Sequence, residues 1–490
     1  MTRRCHQPKI LATFDAASRS PEAMRHWSGA EALSADAELI PEVRSLIVSR
    51  CRFEAANNGD LAGILLTLAD DTVGTGPRLQ LYPDEPEPEK DDREQRRRLS
   101  RRERRFRAYA REIGLARKLR LARLAKARDG EIFIEKVVNP RLTGPQRVDL
   151  ALYETEQVAS AVTRTDYEYH DTGVPREVDG IFFDRYGNPD RYRVWRIHPG
   201  ALNRVSGVYS DVPAANVIHY GNFTRPGQHR GFPEIAPVLT VFNDLRRYSN
   251  AVIAAAETAA VISILLETDT VPDAEEYDLS PDEINPESGK RIRQLRFTDV
   301  VQLVKNSALA LPEGWHAKQL TAAQPTTQFP SFADAKLNEA SRALSMPFNI
   351  AKGNSAGYNY ASGRLDYQIY HRKLAIEREL IAGVVLDDLL ETWETVDRAC
   401  WPEDYRADEE ISHTWMWDGF EHADPLKEAN AQAVRLASGV TTLADECAKA
   451  GTDYETVMYQ RAREMALAKK LGIAPEAAPA RETGEADGEE

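Results

Sequence analysis

Apolar positions recur every three or four residues over most of this chain, and the period shortens over one central part. Helical spacing from about 30 to 75 predicts two amphipathic helices on either side of an Asn57-Asn58-Gly59 turn. Between 131 and 225 the apolar segments are short, β-branched and aromatic, so strands are expected, with a hairpin loop at Tyr186-Gly187-Asn188-Pro189. The pattern predicts a mainly helical α+β protein with one β-rich part.

Long helices are predicted on both sides of an acidic insertion. The first begins at about Ala236 and continues to 266, about 30 residues or roughly 45 Å at 1.5 Å per residue. Acidic residues and prolines dominate 268–288, and strands are expected at 300–304. A second helix covers 331–346, and after a Gly/Asn/Ser loop a third runs from Ser362 to about Trp393.

The C-terminal part, 424–472, is also predicted to be helical. Asp424 can cap the first of its helices, and Pro425 stands at the first helical position, where proline is tolerated. Two more helices follow. The last residues, 474–490, lack large apolar side chains and are expected to be disordered.

Charge is distributed unevenly. The net charge of −14 argues against a protein that wraps nucleic acid with its whole surface, because phosphate binding requires clustered Lys and Arg. Yet 93–128 holds sixteen Lys or Arg and three Glu, with apolar residues at near-helical spacing: Phe106, Tyr109, Ile113, Leu115, Leu119 and Leu124. This segment is either a helix with a buried apolar stripe and a solvated cationic face, or a contact for DNA or an acidic neighbouring subunit. Of the two functional alternatives we favour the subunit contact.

The sequence contains no motif for catalysis or metal binding. It has neither a G-x-x-x-x-G-K-[ST] phosphate loop nor a G-x-S-x-G nucleophile elbow. His219 and His229 are not accompanied by an H-E-x-x-H or carboxylate pattern, and the acidic run 269–287 lacks calcium-loop spacing. We therefore predict no enzymatic activity, no cofactor and no metal.

Cysteine usage and hydropathy bear on the compartment. Cys5, Cys51, Cys400 and Cys447 stand far apart, as expected for isolated thiols in a reducing environment without disulfides. The N-terminus has no apolar core of signal-peptide length. The longest apolar run, 251–266, is interrupted by Glu257 and Thr258 and falls short of a membrane span. Neither secretion nor contact with a membrane is expected.

The segment Val217–Leu239, VIHYGNFTRPGQHRGFPEIAPVL, is the most informative part of the chain. An extended run breaks into a Gly/Pro/Arg loop, and prolines then stand where a helix start tolerates them. It resembles the signature of lambda-type portal proteins of tailed bacteriophages, in which Arg-Pro-Gly-Gln-x-Arg-Gly precedes Pro-x-x-Ala-Pro and a helix. For the loop alone, the alternative is an ordinary strand-loop-helix junction with surface arginines.

A second element of the same resemblance is Asn359-Tyr360-Ala361-Ser362-Gly363-Arg364, which matches the family's Asn-Tyr-Ser-Ser-x-Arg except at Ala361. The resemblance implies that the preceding loop, 352–358, lies in a central channel. Gly353 and Gly357 give backbone freedom there, and Lys and Asn donors can bind phosphate without reading bases. The candidate channel residues are Lys352, Asn354, Tyr358, Asn359, Tyr360 and Arg364. Alternatively, the Asn and Ser side chains only cap the next helix.

Further elements extend the resemblance over roughly 30–472. Gly130, Glu131 and Phe133 fit a Gly-Glu-x-Phe strand that follows a helix in the family. Near the C-terminus an Asp-Pro-x-Lys-Glu start at 424–428 precedes two glycine turns, at 439–442 and 451–453, in the family's order. Candidate contacts between subunits or domains are Arg225, Gln228, Arg230, Asp424 and Lys427.

The resemblance implies a portal fold with an α/β wing, long stem helices, a small clip insertion and a helical crown. Its parts would be 1–92, the helical N-terminal part of the wing with an acidic linker; 93–230, the basic helix and β-rich wing; 231–266, a stem helix; 267–328, the clip; 329–347, a second stem helix; 348–361, the channel loop; 362–423, the long helix and wing return; 424–473, the crown; and 474–490, a disordered tail.

The resemblance also implies a ring-shaped homo-oligomer, typically of twelve subunits, at one capsid vertex of a virion. The ring would be a channel for packaging and ejecting double-stranded DNA, which it would contact without sequence specificity. Its other implied partners are the terminase large subunit, which would hydrolyse ATP, head-tail adaptors, and major capsid and scaffold proteins, with assembly in the host cytoplasm. The alternative is a DNA-processing enzyme of a mobile element that binds its substrate with 93–128.

Overall fold

The computed structural model describes residues 15–18, 20–83, 93–162, 167–202, 208–261, 265–268, 283–284, 291–292, 315–318, 329–357, 359–406, 409–420 and 425–473. The chain divides into two compact units. One comprises Met1–Leu239 with Asn338–Glu490, and the other Thr240–Leu337.

The described helices, in chain order, are α1 Pro21–His26, α2 Ala35–Glu38, α3 Pro41–Asn57, α4 Gly59–Val73, α5 Arg93–Glu112, α6 Leu115–Asp129, α7 Leu239–Val261, α8 Phe329–Ala343, α9 Phe348–Lys352, α10 Tyr360–Ile381, α11 Asp387–Cys400, α12 Pro425–Ala437, α13 Leu443–Lys449 and α14 Tyr454–Leu471. A π-helical turn, Ala382–Leu386, joins α10 to α11. Among the described helices, none combines the length and the apolarity that a membrane crossing requires.

The described strands are β1 Arg78–Pro83, β2 Glu131–Val138, β3 Val148–Tyr153, β4 Glu177–Val178, β5 Ile181–Phe183, β6 Pro189–Trp195, β7 Tyr209–Pro213, β8 Val217–Gly221, β9 Leu265–Thr268, β10 Glu283–Ile284, β11 Arg291–Ile292, β12 Trp315–Lys318 and β13 Ile411–Met416. They form a three-stranded sheet in the order β3-β2-β8, a four-stranded sheet β4-β5-β6-β7, and the pairs β1-β13, β9-β12 and β10-β11. Every pairing among these strands is antiparallel. The chain is thus a mainly helical α+β protein, as predicted.

Local signals placed two elements correctly. The helices predicted between 30 and 75 are α3 and α4, and Asn58 caps α4 by accepting bonds from the backbone N–H groups of Asp60 and Leu61 at 3.1 and 3.2 Å. The hairpin loop predicted at 186–189 joins β5 to β6, where Asp184 accepts from the N–H groups of Tyr186 and Asn188 at 2.8 and 2.9 Å. Both predictions are confirmed.

The predicted basic helix is two helices. Gly114 has φ of +64° and separates α5 from α6, because a glycine in the left-handed region ends a helix. The apolar stripe predicted within this segment is buried at Phe106, Tyr109, Ile113, Leu115 and Leu119, while Leu124 is half-buried. Phe106 packs edge-on against Trp393 of α11, with ring centroids 5.2 Å apart.

Three elements differ from the predictions. The helix expected to reach 266 is described only to Val261, and Leu265–Thr268 pairs with β12, because an apolar run of this length fits a strand as well as a helix. Part of the loop expected at 348–361 is the short helix α9, with Asn349 and Ala351 buried. Strand β1 lies in a part predicted to be helical, and only its pairing with the distant β13 shows it.

Several predictions fall outside the described residues. These are the strands at 300–304, most of the clip, the C-terminal tail and the side-chain environment of the acidic run at 269–287.

Within the unit 240–337, Tyr248 of α7 stacks on Phe329 of α8 with ring centroids 5.4 Å apart.

Candidate functional site: the strand-to-helix joint and the loop before α10

The segment between β8 and α7, residues 222–235, is named the joint. Its loop is closed by Gln228, whose Oε1 accepts from the backbone N–H groups of Thr224 and Arg225 at 2.8 and 3.2 Å. The amide nitrogen of Gln228 donates to the carbonyl of Arg230 at 2.7 Å and to that of Asn222 at 3.3 Å. Gln228 therefore stabilises the loop from within.

The exposed side of the joint binds the N-terminal segment of the chain. Arg225 donates to the carboxylate of Glu38, and to the carbonyl of Leu33 at 2.8 Å. The ring nitrogen Nδ1 of His229 lies 2.7 Å from the Asp36 carboxylate, which also accepts the His229 N–H at 3.0 Å. These contacts hold residues 33–38 against the loop.

Arg230 is buried, with 1% of its surface exposed. Its Nε donates to Glu131 of β2 at 2.8 Å, and its Nη1 to the Asp179 carboxylate at 2.9 Å. Nη2 donates to the carbonyl of Thr155 at 2.9 Å. One guanidinium thus joins the three-stranded sheet to the turn between β4 and β5.

Arg44 and His219 also contact this set of buried residues. The whole set is named the Glu131 cluster and comprises Arg44, Glu131, Thr155, Asp179, His219 and Arg230. Arg44 of α3 donates to Glu131 at 3.3 Å and also pairs with Asp179. His219 lies 2.8 Å from the second Glu131 oxygen and stacks on Phe133 with ring centroids 4.3 Å apart. The cluster therefore connects α3, both sheets and the joint.

Glu131 is stabilised as a carboxylate in this interior. Burial alone would raise its pKa, but the charge of Arg230, the contact with His219 and the charge of Arg44 outweigh burial and hold the pKa well below its ordinary value. The second Glu131 oxygen also accepts the Gly231 N–H at 2.6 Å. A fully bonded buried charge of this kind fixes geometry and leaves little capacity for a ligand.

Two glycines allow the joint to approach β2. A Cβ on Gly231 would lie 2.3 Å from the carbonyl oxygen of Gly130, and a Cβ on Gly130, whose φ is +94°, would lie 2.8 Å from the Gly231 backbone. Both positions accept only glycine without a shift of the backbone. The two matching motifs, at 130–133 and at 225–231, are therefore in direct contact.

Carboxylates of the same chain neutralise much of the basic segment 93–128. On α5, Arg102 pairs with Glu394 at 2.5 Å, and Arg105 pairs with Asp397 at 2.7 Å and Asp404 at 2.6 Å. On α6, Lys126 pairs with Glu377 at 2.6 Å and Arg123 with Glu234 at 2.9 Å. Further pairs are Arg96–Glu455, Arg98–Glu409, Arg101–Asp404 and Lys118–Asp149.

These pairs change the interpretation of the segment. The apolar stripe is buried as expected, but the cationic face is not simply solvated, because many of its cations pair with carboxylates from residues between 149 and 455. Exposed arginines remain on α5 at 97, 104, 107 and 111. The segment mainly holds the chain together, which disfavours the DNA-processing enzyme that would need these cations for substrate.

The loop 353–359, between α9 and α10, is exposed over its described residues. Lys352 ends α9 and carries its ammonium 5.5 Å from the Phe348 ring centroid. The Asn354 side chain accepts the Ala356 N–H at 2.8 Å. Asn359 caps α10 by accepting from the N–H and the hydroxyl of Ser362, each at 2.9 Å. Asn359 thus caps α10, and Ser362 donates to this cap; a contact of the loop with DNA stays a prediction.

The other predicted residues are placed as follows. Tyr360 is the first residue of α10, Arg364 is exposed in its first turns, and Lys427 is exposed in the first turn of α12. Tyr358 and Asp424 lie outside the described residues. The predicted roles in DNA and subunit contact stay predictions for all of them.

One group of possible cation ligands occurs in the described residues: Glu154, Glu156 and His198, whose ligand atoms lie within 4.8 Å of one another. Arg52 donates to both Glu156 oxygens at 2.9 and 3.0 Å. The Nδ1 of His198 accepts the Gly200 N–H at 2.9 Å, and its Nε2 lies 3.1 Å from the Glu154 carboxylate. The arrangement is an ion-pair cluster.

The partners of the joint carry almost no local signal in the sequence. The family motif identifies Arg230 and Gln228, but it does not include Arg44, Asp179 or Thr155. Asp179 has φ of +44° directly before Gly180, so an Asp-Gly pair between two short strands could have marked a turn with an inward carboxylate. No pattern within α3 marks Arg44 as buried.

A glycine-dependent joint thus connects a β-rich part of the chain to a long helix. The family model described as phage portal protein, lambda family, matches residues 20–378. The chain belongs to the lambda family of phage portal proteins. As a portal protein it is a structural component of a phage-type particle, at a vertex of the capsid.

Two solved structures are similar to this chain at low sequence identity. The neck of a native GTA particle, computed with C12 symmetry, shares 13% identity and a TM-score of 0.42, covering 83% of this chain and 93% of that one. An HK97 family phage portal protein from Corynebacterium diphtheriae shares 14% identity and a TM-score of 0.24, covering 82% and 99%. These values are too low for structural detail to be transferred. No curated protein matches the chain.

Proposed function

We propose that this protein assembles into a ring at one capsid vertex, and that double-stranded DNA passes through the ring during packaging and ejection. Membership in the lambda portal family is the observation that carries this proposal. Twelve subunits are proposed for the ring, the number that is typical of the family. A terminase large subunit, head-tail adaptors, and capsid and scaffold proteins would bind to it during assembly in the host cytoplasm.

The charge distribution supports a channel that does not hold DNA tightly. The net charge is −14, and the most basic segment is largely paired with carboxylates of its own chain. Phosphate binding strengthens with each free cation that releases counterions, so a wall with few such cations lets a duplex slide. Hydrolysis of ATP is assigned to the separate terminase, and this chain acts without catalysis.

The domain assignments follow from the same proposal. The compact unit 240–337 supports treating the stem and clip, 231–347, as one part of the chain. The two sheets and α5–α6 would form the wing, and α12–α14 the crown. Lys352 and Asn354 are the proposed DNA contacts, since Lys352 and the loop after it are exposed.

Electron microscopy of the purified protein in negative stain tests the ring. Rings with a central hole are expected, whereas compact monomers at micromolar concentration would overturn the proposal. A Lys352→Ala, Asn354→Ala variant tests the DNA contact: rings should form as before, while the amount of DNA packaged by assembled particles falls. The matched control is Lys449→Ala, which changes an exposed lysine of α13 and should leave packaging unchanged. If the loop variant no longer forms rings, its assignment to DNA is wrong.

A further inference from the structure

The last helix, α14, exposes large apolar side chains throughout its length. No residue of the described range 454–471 is buried in α14. Met458, Met465, Leu467 and Leu471 are 55%, 66%, 56% and 60% exposed. Isolated helices of this length are marginally stable in water, so a helix with this composition requires packing partners.

The exposed apolar residues lie on two opposite faces. Met465 follows Met458 by about two turns and lies on the same face, at 3.6 residues per turn. Leu467 follows Met458 by about two and a half turns and lies on the opposite face, with Leu471 one turn further. We name these the methionine face and the leucine face. A helix that is apolar on opposite sides is buried between two neighbours.

The C-terminal residues 474–490 offer no large apolar side chain to these faces. Residues 474–490 contain Ala and Pro but no Leu, Ile, Val, Met, Phe, Tyr or Trp. They also carry Glu476, Glu482, Glu485, Asp487, Glu489 and Glu490. The Met and Leu side chains themselves do not attract phosphate, so contact with DNA does not account for the two apolar faces.

We propose that α14 packs between two neighbouring copies of this chain, with the methionine face of one copy against the leucine face of the next. This inference rests on the proposed ring. In a closed ring each subunit has two neighbours and presents two different patches that must fit each other. Two distinct apolar faces on one helix meet this requirement, whereas a single additional partner would cover one face. Rotation about the ring axis keeps each residue at the same position along that axis. Met465 of one copy therefore lies close to the level of Leu467 in the next copy.

Disulfide trapping tests this arrangement. In a background with Cys5→Ser, Cys400→Ser and Cys447→Ser, the double variant Met465→Cys, Leu467→Cys is oxidised and separated by denaturing, non-reducing electrophoresis. A ladder of covalent oligomers is expected, because each copy then carries one thiol on each face. Each single variant should remain monomeric. The control pair Arg463→Cys, Lys470→Cys, which places both thiols on one side of α14, should also give no ladder.

The unmodified protein and the variants are examined in negative stain, so that two failures can be told apart. Absence of rings from the unmodified protein overturns the proposed function. Rings without a ladder from the double variant overturn the packing of α14, as does dimer formation by Met465→Cys alone, which would mean that like faces meet. Hydrogen exchange on unmodified rings gives a measurement free of substitutions: amides of 458–471 should be protected, and exchange at the rate of an unstructured peptide contradicts the proposal.

Discussion

The Glu131 cluster and α14 are contrasting parts of one chain. In the cluster, charged side chains are buried and satisfied by partners from α3, both sheets and the joint. In α14, apolar side chains are exposed and the described helix buries none of its own residues. The cluster is complete within a single subunit, so it determines how the subunit folds. α14 is incomplete within a single subunit, so its stability depends on assembly.

The difference shows where a substitution acts. Removing one partner of a buried charge leaves another charge without compensation inside the protein, and the folded subunit loses free energy directly. Changing an exposed apolar residue leaves the subunit almost unaffected and changes only what it can bind. Stability of the subunit and formation of the ring should therefore respond to different positions, and the following variants are ordered by their expected effect on the subunit.

Arg230→Met should have the largest effect, a loss of about 3 to 5 kcal/mol in the free energy of unfolding, because Glu131 and Asp179 would remain buried with Arg44 as their main cation. Urea denaturation followed by tryptophan fluorescence measures it. Arg225→Met is the matched control: this arginine is exposed and should contribute about 0 to 1 kcal/mol. Equal effects of the two variants would show that the Glu131 cluster is not a central element of stability.

Gly231→Ala should cost about 1 to 3 kcal/mol, because the added methyl would lie 2.3 Å from the Gly130 carbonyl and the backbone must shift. Gly63→Ala should change the free energy of unfolding in the opposite direction. Gly63 lies within α4 with nothing near its missing side chain, so alanine should stabilise the helix by about 0.5 to 1 kcal/mol. Thermal unfolding measures both shifts. A stabilised Gly231→Ala variant would contradict the close approach of the joint to β2.

Asn359→Ala should lower stability by about 0.5 to 2 kcal/mol, because α10 loses its N-cap. Asn359→Ser keeps a capping oxygen and should recover most of the loss. This comparison separates capping from DNA contact at one position. If the amount of packaged DNA falls in the alanine variant and recovers in the serine variant together with stability, Asn359 acts as a cap. Normal stability with impaired packaging in the serine variant would assign it to DNA instead.

Acidification should weaken the Glu131 cluster. The folded pKa of Glu131 lies well below its ordinary value of 4.5, so its contribution is fully present above 4.5 and is lost as the pH falls from there through the folded pKa. The difference in unfolding free energy between the wild type and Glu131→Gln should therefore shrink as the pH is lowered below 4.5. A difference independent of pH would show that Glu131 contributes by shape rather than charge.

Leu467→Gln should have the smallest effect on the isolated subunit, less than about 0.5 kcal/mol, since the side chain is 56% exposed. The fraction of protein in rings should nevertheless fall, as measured by mass photometry at a fixed concentration. Ala466→Gln, which adds the same polar side chain at an exposed position between the two faces of the helix, is the control. A subunit strongly destabilised by Leu467→Gln would mean that α14 already packs within its own chain.

The sequence allowed local features and the family to be predicted, but not the long-range contacts. The Asn57-Asn58-Gly59 turn, the 186–189 hairpin and the buried stripe from Phe106 to Leu119 depend on neighbours in the chain, which periodicity and turn residues reveal. The partners of the basic segment come from residues as distant as Glu455, and their pairing depends on the tertiary fold. For the same reason, β1 could not be recognised without β13.

The candidate site was predicted unevenly. Arg230 and Gln228 were identified through the family motif, and the structure shows what they contact within the chain. Whether an arginine faces solvent or a buried carboxylate depends on burial, which residue type alone does not reveal. The helix α9 was missed because Phe348 and Ile350 are too few to show a helical period within a segment rich in Gly and Asn.

The pairing of β1 with β13 bears on the timing of biosynthesis. Leu81 is opposite His413, so this sheet cannot close until a ribosome has synthesised and released the chain beyond β13. Because the two strands are far apart in the sequence, β1 remains unpaired with β13 during most of translation. A truncated product, released early, would lack β13 and leave the edge of β1 open. Synthesis through β13 is therefore required before this sheet can form.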